Sequence, residues 1–121
     1  MRLDPDDAAF LWDMLETARG VVDAVRGVSF ERYRADTNLR LAIERRIEII
    51  GEAANRVSRP VQDAHPEIGW RSIIAQRHVL AHEYGDIDDE LIWTVATEHI
   101  PALIAKLERI TPPPPTDERE S

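Results

Sequence analysis

Four side chains suited to phosphate or proton-transfer chemistry fall within one short stretch of the sequence, RHVLAHEYGD at residues 77–86. They are Arg77, His78, His82 and Tyr84. An arginine stays charged and matches a phosphate with two parallel hydrogen bonds, whereas a histidine exchanges protons near neutral pH. Such a pair could cleave RNA without a metal, since one group would move the proton of a 2′-hydroxyl while the other stabilises the charge at phosphorus.

Helix geometry limits how these groups could cooperate. At about 100° per residue, Arg77 and His82 would project about 140° apart on one helix, so a single ideal helix does not bring them to the same atom. The length of the arginine, an unwound last turn or a second subunit would have to close the gap. On spacing alone, the plain alternative of polar residues at the end of a core helix stays open.

A metal site is a further alternative, but we favour it less. His78 and His82 are four residues apart, a spacing that lets two imidazoles share an ion. The stretch lacks the glutamate that follows the first histidine of a metalloprotease helix, and only His99 or an acidic residue could serve as a third ligand.

Helices are predicted for all the elements that must position these residues. No segment shows apolar and polar residues in strict alternation, the pattern with a period of two that marks a strand. We therefore predict an all-α fold, an up-and-down bundle of five to six helices. Apolar residues recur at helical spacing in residues 5–26, 29–36, 38–58 and 70–85, and in a last segment that Asp86 or Asp88 caps and that runs to Ile110.

Capping and helix-breaking residues predict the boundaries. Thr37 can cap the third helix, because its hydroxyl can accept a hydrogen bond from a free backbone N–H. Residues 58–69 are predicted to be a loop, with Pro60 and Pro66 as breakers. Pro101 falls inside the last helical pattern and predicts a kink or a break there.

Length and composition describe one small domain. The 121 residues contain no cysteine and carry a net charge of −8. The helical domain is expected over residues 1–110, followed at 111–121 by a disordered, Pro-rich, acidic tail. No signal-peptide or membrane-spanning pattern is seen, so we expect a cytoplasmic protein without membrane partners. The negative charge argues against broad, nonspecific binding to nucleic acid.

Several motifs occur together in a fixed order. The stretch RHVLAHEY fits a pattern of Arg, four residues, His, one residue and Tyr. It is preceded by IGEAA at residues 50–54 and by HPEIGW at 65–70, and it is followed by HIPALIAKL at 99–107. With these motifs at this spacing, the sequence resembles the HepT family of HEPN-domain proteins, also called the DUF86 family, over most of residues 5–110.

The resemblance implies a specific activity. Proteins of this family are small helical homodimers whose motif lines a cleft between subunits. They act as ribonuclease toxins, and a minimal nucleotidyltransferase antitoxin neutralises them by attaching AMP to the motif tyrosine. Carried over, Arg77 would hold the scissile phosphate, His82 would be the acid–base residue, and Tyr84 would be a cleft residue and the AMP acceptor. Neither a metal nor a cofactor is implied, and cleavage by the 2′-hydroxyl would leave a 2′,3′-cyclic phosphate.

Two residues are candidates for supporting roles. His78 stands where the family usually has a small polar residue, and it would take over a polar contact or add a second proton-transfer group. Glu52, in the IGEAA motif, could face the cleft, although an ion pair with Arg56 four residues later is favoured.

A noncatalytic function is the rival hypothesis. HEPN-type helical domains also serve as binding modules for nucleotidyltransferases. The segment from Glu83 to Glu98 carries six acidic residues and no cation. This charge pattern suits docking to a protein better than binding to RNA.

Overall fold

The computed structural model describes residues 3–82 and 88–113, with side chains for 3–76 and 88–113. Within these residues there are helices but no strand, which confirms the all-α class. The described residues form six helices, within the predicted five to six, when the π turn Val95–His99 is counted together with the helices that it joins without a break. The elements are α1 (Pro5–Val25), α2 (Phe30–Ala35), α3 (Thr37–Arg56), α4 (Arg59–Ala64), a 3₁₀ turn (Pro66–Ile68), α5 (Trp70–His82), α6 (Asp89–Thr94), a π turn (Val95–His99) and α7 (Ile100–Ile110).

Side-chain caps determine where the early helices begin. The Ser29 hydroxyl accepts a hydrogen bond from the backbone N–H of Arg32 (3.1 Å), as expected for the start of α2. The predicted Thr37 cap is wrong by one residue. The carboxylate of Asp36 accepts from the N–H of Leu39 (3.0 Å), and Thr37 is the first residue of α3. An aspartate is at least as good a cap as a threonine, so two adjacent candidates competed.

The loop predicted for residues 58–69 is mostly helical. It forms the two-turn helix α4 and the 3₁₀ turn, and each begins at or next to a proline, Pro60 and Pro66. A proline at the first positions of a helix loses no hydrogen bond, because the N–H there has no partner within the helix. The prolines therefore start these elements rather than prevent them.

The kink predicted near Pro101 takes the form of the π turn Val95–His99. The N–H of Ile100 bonds to the carbonyl of Val95, five residues back, and the Thr97 hydroxyl donates to the carbonyl of Trp93 (2.8 Å). Proline has no N–H to give and its ring crowds the preceding turn. The wider turn accommodates this without ending the helix.

The core is formed where α1 packs against α3 and α7, and α3 packs in turn against α5. The apolar stripes of α1 and α3 point inward. None of the described helices is long and apolar enough to cross a membrane. The largest side chains with essentially no exposed surface are Tyr33, Leu11, Met14, Ile43, Ile50 and Leu107.

A buried carboxylate ties the start of α1 to the end of α3. Asp7 is 6% exposed. Its two oxygens accept hydrogen bonds from the backbone N–H and the hydroxyl of Ser58, both at 2.7 Å. A buried carboxylate is tolerated where its oxygens receive good hydrogen bonds.

Candidate functional site

Helix α5 carries three of the four residues of the candidate site. It begins after Gly69, whose φ of +77° lets the chain turn sharply out of the 3₁₀ turn. Trp70, at its first position, is buried, and its indole N–H donates to the carbonyl of His65 (3.0 Å). Helix α5 also packs against α3, so its start is tied both to the preceding turn and to a neighbouring helix.

The predicted site residues lie at the C-terminal end of this helix. Arg77, His78 and His82 are within α5, so Arg77 and His82 differ by about 7.5 Å along the axis and about 140° around it. Their side chains and the whole of Tyr84 lie outside the described residues, and their roles stay predictions. In the part of the chain with described side chains, no three His, Asp or Glu groups cluster as metal ligands; His78 and His82 fall outside that search.

Glu52 lines a groove between α1 and α3. This cavity of about 280 Å³ also has Phe10, Asp13 and Arg56 in its walls, and its described lining residues all come from these two helices. The ion pair of Glu52 joins it to Arg45, at 3.9 Å. The favoured pair with Arg56 is therefore wrong, because a cation two turns earlier on the same face reaches the carboxylate instead. The supporting role of Glu52 in the cleft stays a prediction.

A second cavity, of about 220 Å³, separates the first half of α5 from α7. Ser72 and Gln76 contribute polar groups from α5, while His99 and Lys106 contribute them from the opposite wall. His99 lies four residues before the buried Leu103, a spacing that would put both on one face of a regular α-helix, but His99 is exposed and Ile100 is buried. The π turn explains the difference, since one extra residue per turn rotates the following positions around the axis.

A polar cluster that the sequence did not reveal joins α2, α3 and α6. Tyr33 is fully buried, with its ring centroid 5.0 Å from that of Trp93, so its ring packs in the core. Burial, then the charges of Glu44 and Asp89, raise the pKa of Tyr33. Burial also raises the pKa of Glu44. The Arg40 guanidinium pairs with Asp89 at 3.6 Å.

Part of the acidic segment Glu83–Glu98 has a structural explanation. Asp88 caps α6, and its carboxylate accepts hydrogen bonds from the N–H groups of Glu90 (3.0 Å) and Leu91 (3.2 Å). Asp89 and Glu90 lie in the first turn, where negative charge is stabilised by the helix dipole. Three of the acids thus begin a helix, which weakens the inference that the segment exists for protein docking.

Comparison with known proteins matches this chain to a ribonuclease family and to relatives that are named as ribonucleases. The family model described as Ribonuclease HepT-like matches residues 14–110. A protein of Methanocaldococcus jannaschii, named as an RNase by inference, is 30% identical over 85% of this chain and 94% of its own length. A protein of Thermococcus cleftensis named as a probable ribonuclease HepT is 33% identical over 84% of this chain and 92% of its own. No solved structure gives a significant match.

Proposed function

Because the chain belongs to the HepT-like ribonuclease family, we propose that it is a metal-independent endoribonuclease and the toxin of a toxin–antitoxin pair. Family membership supports a ribonuclease function with RNA as substrate. The observation that carries the finer proposal is the presence of Arg77 and His82 on one helix of a chain that matches the family model from α1 to α7.

The proposed reaction uses the ribose of the substrate as nucleophile. His82 takes the proton of a 2′-hydroxyl, whose oxygen attacks the neighbouring phosphorus while the bond to the 5′-oxygen breaks. The leaving 5′-oxygen takes up a proton from solvent, to which His82 returns the one that it accepted, and the products are a 2′,3′-cyclic phosphate and a 5′-hydroxyl. Arg77 holds the phosphate and stabilises the extra negative charge that develops at phosphorus. His78 and Glu52 are assigned supporting roles.

A homodimer would complete the site. One α5 places its two principal groups about 140° apart, so two copies of the motif facing each other supply an arginine and a histidine to one RNA strand more readily than a single copy. The proposed cleft therefore lies between subunits, and a monomeric variant is expected to be inactive.

Tyr84 is proposed to be the point of control. A nucleotidyltransferase antitoxin would attach AMP to its hydroxyl, two residues after His82. The added phosphate carries negative charge to the place where the RNA phosphate must sit, and the nucleoside fills the cleft. The proposed partners are thus RNA, the antitoxin and a second copy of the chain, in the cytoplasm.

Expression without the antitoxin tests the proposal against a noncatalytic binding module, which the net charge of −8 favours. Wild-type protein is expected to arrest growth, and Arg77→Ala and His82→Ala are expected to abolish the arrest. Arg71→Ala, an exposed arginine in the first turn of α5, is the matched control and should arrest growth like wild type. Equal arrest by all variants would contradict the nuclease, and no arrest by wild type with unmodified Tyr84 would favour the binding module.

A further inference from the structure

The cavity between α5 and α7 combines an apolar floor with a polar rim. Its volume is about 220 Å³. Ser72 and Gln76 line it from α5. His99, at the end of the π turn, and Lys106, on α7, line the opposite wall. An apolar cavity with a few convergent polar groups is the usual form of a small-molecule site. The floor consists of the buried aliphatic side chains among the lining residues, Ile68, Val95, Ile100 and Leu103.

The charge of this cavity is opposite to that of the chain. The chain carries a net charge of −8, yet no Asp or Glu is among the described lining residues of the cavity. The groove between α1 and α3, in contrast, has Asp13, Glu16 and Glu52 in its walls. Lys106 therefore makes this cavity a positive site in an acidic protein, and a positive site favours an anionic ligand.

The charge of Lys106 is not taken up by a described neighbour. Lys106 is half-buried, and no carboxylate with a described side chain forms an ion pair with it. Arg19, by comparison, pairs with Glu16 one turn away and with Glu108 across the bundle. The neighbours of Lys106 at three and four residues along α7 are all without negative charge, namely Ala102, Leu103, Arg109 and Ile110.

His99 and Lys106 leave space between them on the same wall. They are seven residues apart, which is two helical turns and about 10 Å along the axis, and Ala102 lines the cavity between them. Side chains on a helix lean toward its N-terminus, so Lys106 leans toward His99. An ammonium has three donors and an imidazole ring has at least one N–H. A group over Ala102 with oxygens in several directions can accept from both.

We propose that this cavity binds a small organic phosphate, whose phosphate group lies over Ala102 between Lys106 and His99. The apolar body of the ligand lies on the floor, and Ser72 and Gln76 donate or accept hydrogen bonds at its edge. The volume of about 220 Å³ is below the range of about 300–1,000 Å³ that is typical of drug-sized ligands, so one ring fits rather than a dinucleotide. The proposal is independent of the nuclease activity, since it uses none of the motif residues.

An NMR titration of the ¹⁵N-labelled full chain with phenyl phosphate tests the site. The amide signals of Ser72, Ile100 and Leu103 should shift with the added ligand, while those of α1 should not. Phenol lacks the charge and inorganic phosphate lacks the apolar body, so each should bind about tenfold more weakly or less, the loss expected for one charge-assisted hydrogen bond or one buried apolar group. Equal binding of phenol and phenyl phosphate would overturn the role of the charge.

A matched pair of variants tests Lys106 as the phosphate ligand. Lys106→Gln should weaken the binding of phenyl phosphate about tenfold. Arg109→Gln removes the same charge from an exposed position on α7 that does not line this cavity, and it should bind like wild type. Equal weakening in both variants would mean that only the overall charge matters, and would overturn the site.

A third variant tests the position of the phosphate. Ala102→Leu fills the space between His99 and Lys106 without removing a polar group, and it should weaken binding about tenfold or more. Because Ala102 is exposed on its helix, the fold should be kept, which an unchanged melting temperature verifies. Unchanged binding in a folded Ala102→Leu variant would contradict the proposed placement.

Two further probes identify the source of the phosphate. Uridine 5′-monophosphate represents a separate small molecule, and a 2′-O-methyl uridine hexamer represents an RNA strand that cannot be cut by its own 2′-hydroxyl. If the hexamer shifts the same amides and competes with phenyl phosphate, the site holds one nucleotide of an RNA; if only the monophosphate does, it holds a separate molecule. No shift with any of the three phosphates would overturn the proposal, whereas a protein that binds them but cleaves no RNA would overturn only the nuclease.

Discussion

Replacing Asp7 by alanine should remove the strongest described polar link between α1 and the α3–α4 junction. Both carboxylate oxygens receive hydrogen bonds from Ser58, each at 2.7 Å, and the aspartate is 6% exposed. A hydrogen bond to a charged group contributes about 1.5–3 kcal/mol. Since Ser58 is half-buried, water can replace part of this, and we expect a loss of about 2–4 kcal/mol in the free energy of unfolding.

Urea denaturation followed by tryptophan fluorescence measures this loss, and a thermal melt should show a fall of about 10 °C for a chain of this size. Asp6→Ala is the matched control, because Asp6 lies in the same turn but is exposed. It should cost less than about 1 kcal/mol, the contribution of a charge near a helix N-terminus.

A double-mutant cycle isolates the contact itself. Ser58→Ala removes the hydroxyl donor and leaves the backbone N–H, so the coupling with Asp7→Ala should be about 1–2 kcal/mol. The reasoning is refuted if Asp7→Ala costs no more than Asp6→Ala, or if the two substitutions at 7 and 58 are additive.

Three further variants test other parts of the structure. Tyr33→Phe should leave stability unchanged within about 0.5 kcal/mol or raise it, because the hydroxyl has no described partner; a loss above about 1 kcal/mol in a urea titration would mean that the hydroxyl is hydrogen-bonded. Leu107→Ala should cost about 2–5 kcal/mol, since Leu107 is fully buried, and a loss below about 1 kcal/mol would contradict its place in the core. Glu44 has a raised pKa in the fold, so the folded state binds its proton more tightly than the unfolded state and stability falls as pH rises through that pKa. Glu44→Gln should therefore melt slightly higher than wild type at pH 7, and the difference should vanish below pH 4.5, the ordinary pKa of a glutamate; a lower melting temperature at pH 7 would contradict the sign.

The helical class and most helix starts could be predicted because they depend on local physics. The carboxylate of Asp4 accepts from a backbone N–H at the start of α1 (2.8 Å), and Asp88 does the same for α6. Gly27, with φ of +72°, follows the end of α1. In each case the residue type that caps or ends the helix is visible in the sequence. For the two aspartates, the N–H that they accept from is also a neighbour along the chain.

The features that could not be predicted depend on distant residues or on helix phase. The burial of Asp7 could not be predicted, since nothing in the sequence shows that Ser58, 51 residues later, contacts it. The exposure of His99 and the burial of Ile100 could not be predicted, because a π turn cannot be seen in an apolar pattern of period 3.6. Arg40 gave no signal, because its partner lies on another helix.

The candidate site was identified from motif and resemblance rather than from geometry. Arg77 and His82 were predicted on one helix, and both lie on α5. Their separation around that helix follows from the period alone. The predicted ion-pair partner of Glu52 was wrong because Arg45 and Arg56 are both compatible with helical spacing, so spacing alone does not decide between them, and Arg45 is the partner at 3.9 Å.

Cleavage of RNA in EDTA by purified protein, made without its antitoxin, tests the central claim most directly. Wild type and His65→Ala, which changes a histidine outside the motif, should yield fragments with 2′,3′-cyclic phosphate ends, while His82→Ala should leave the RNA intact. Equal cleavage by wild type and His82→Ala, or cleavage that appears only when a divalent metal is supplied, would contradict the account.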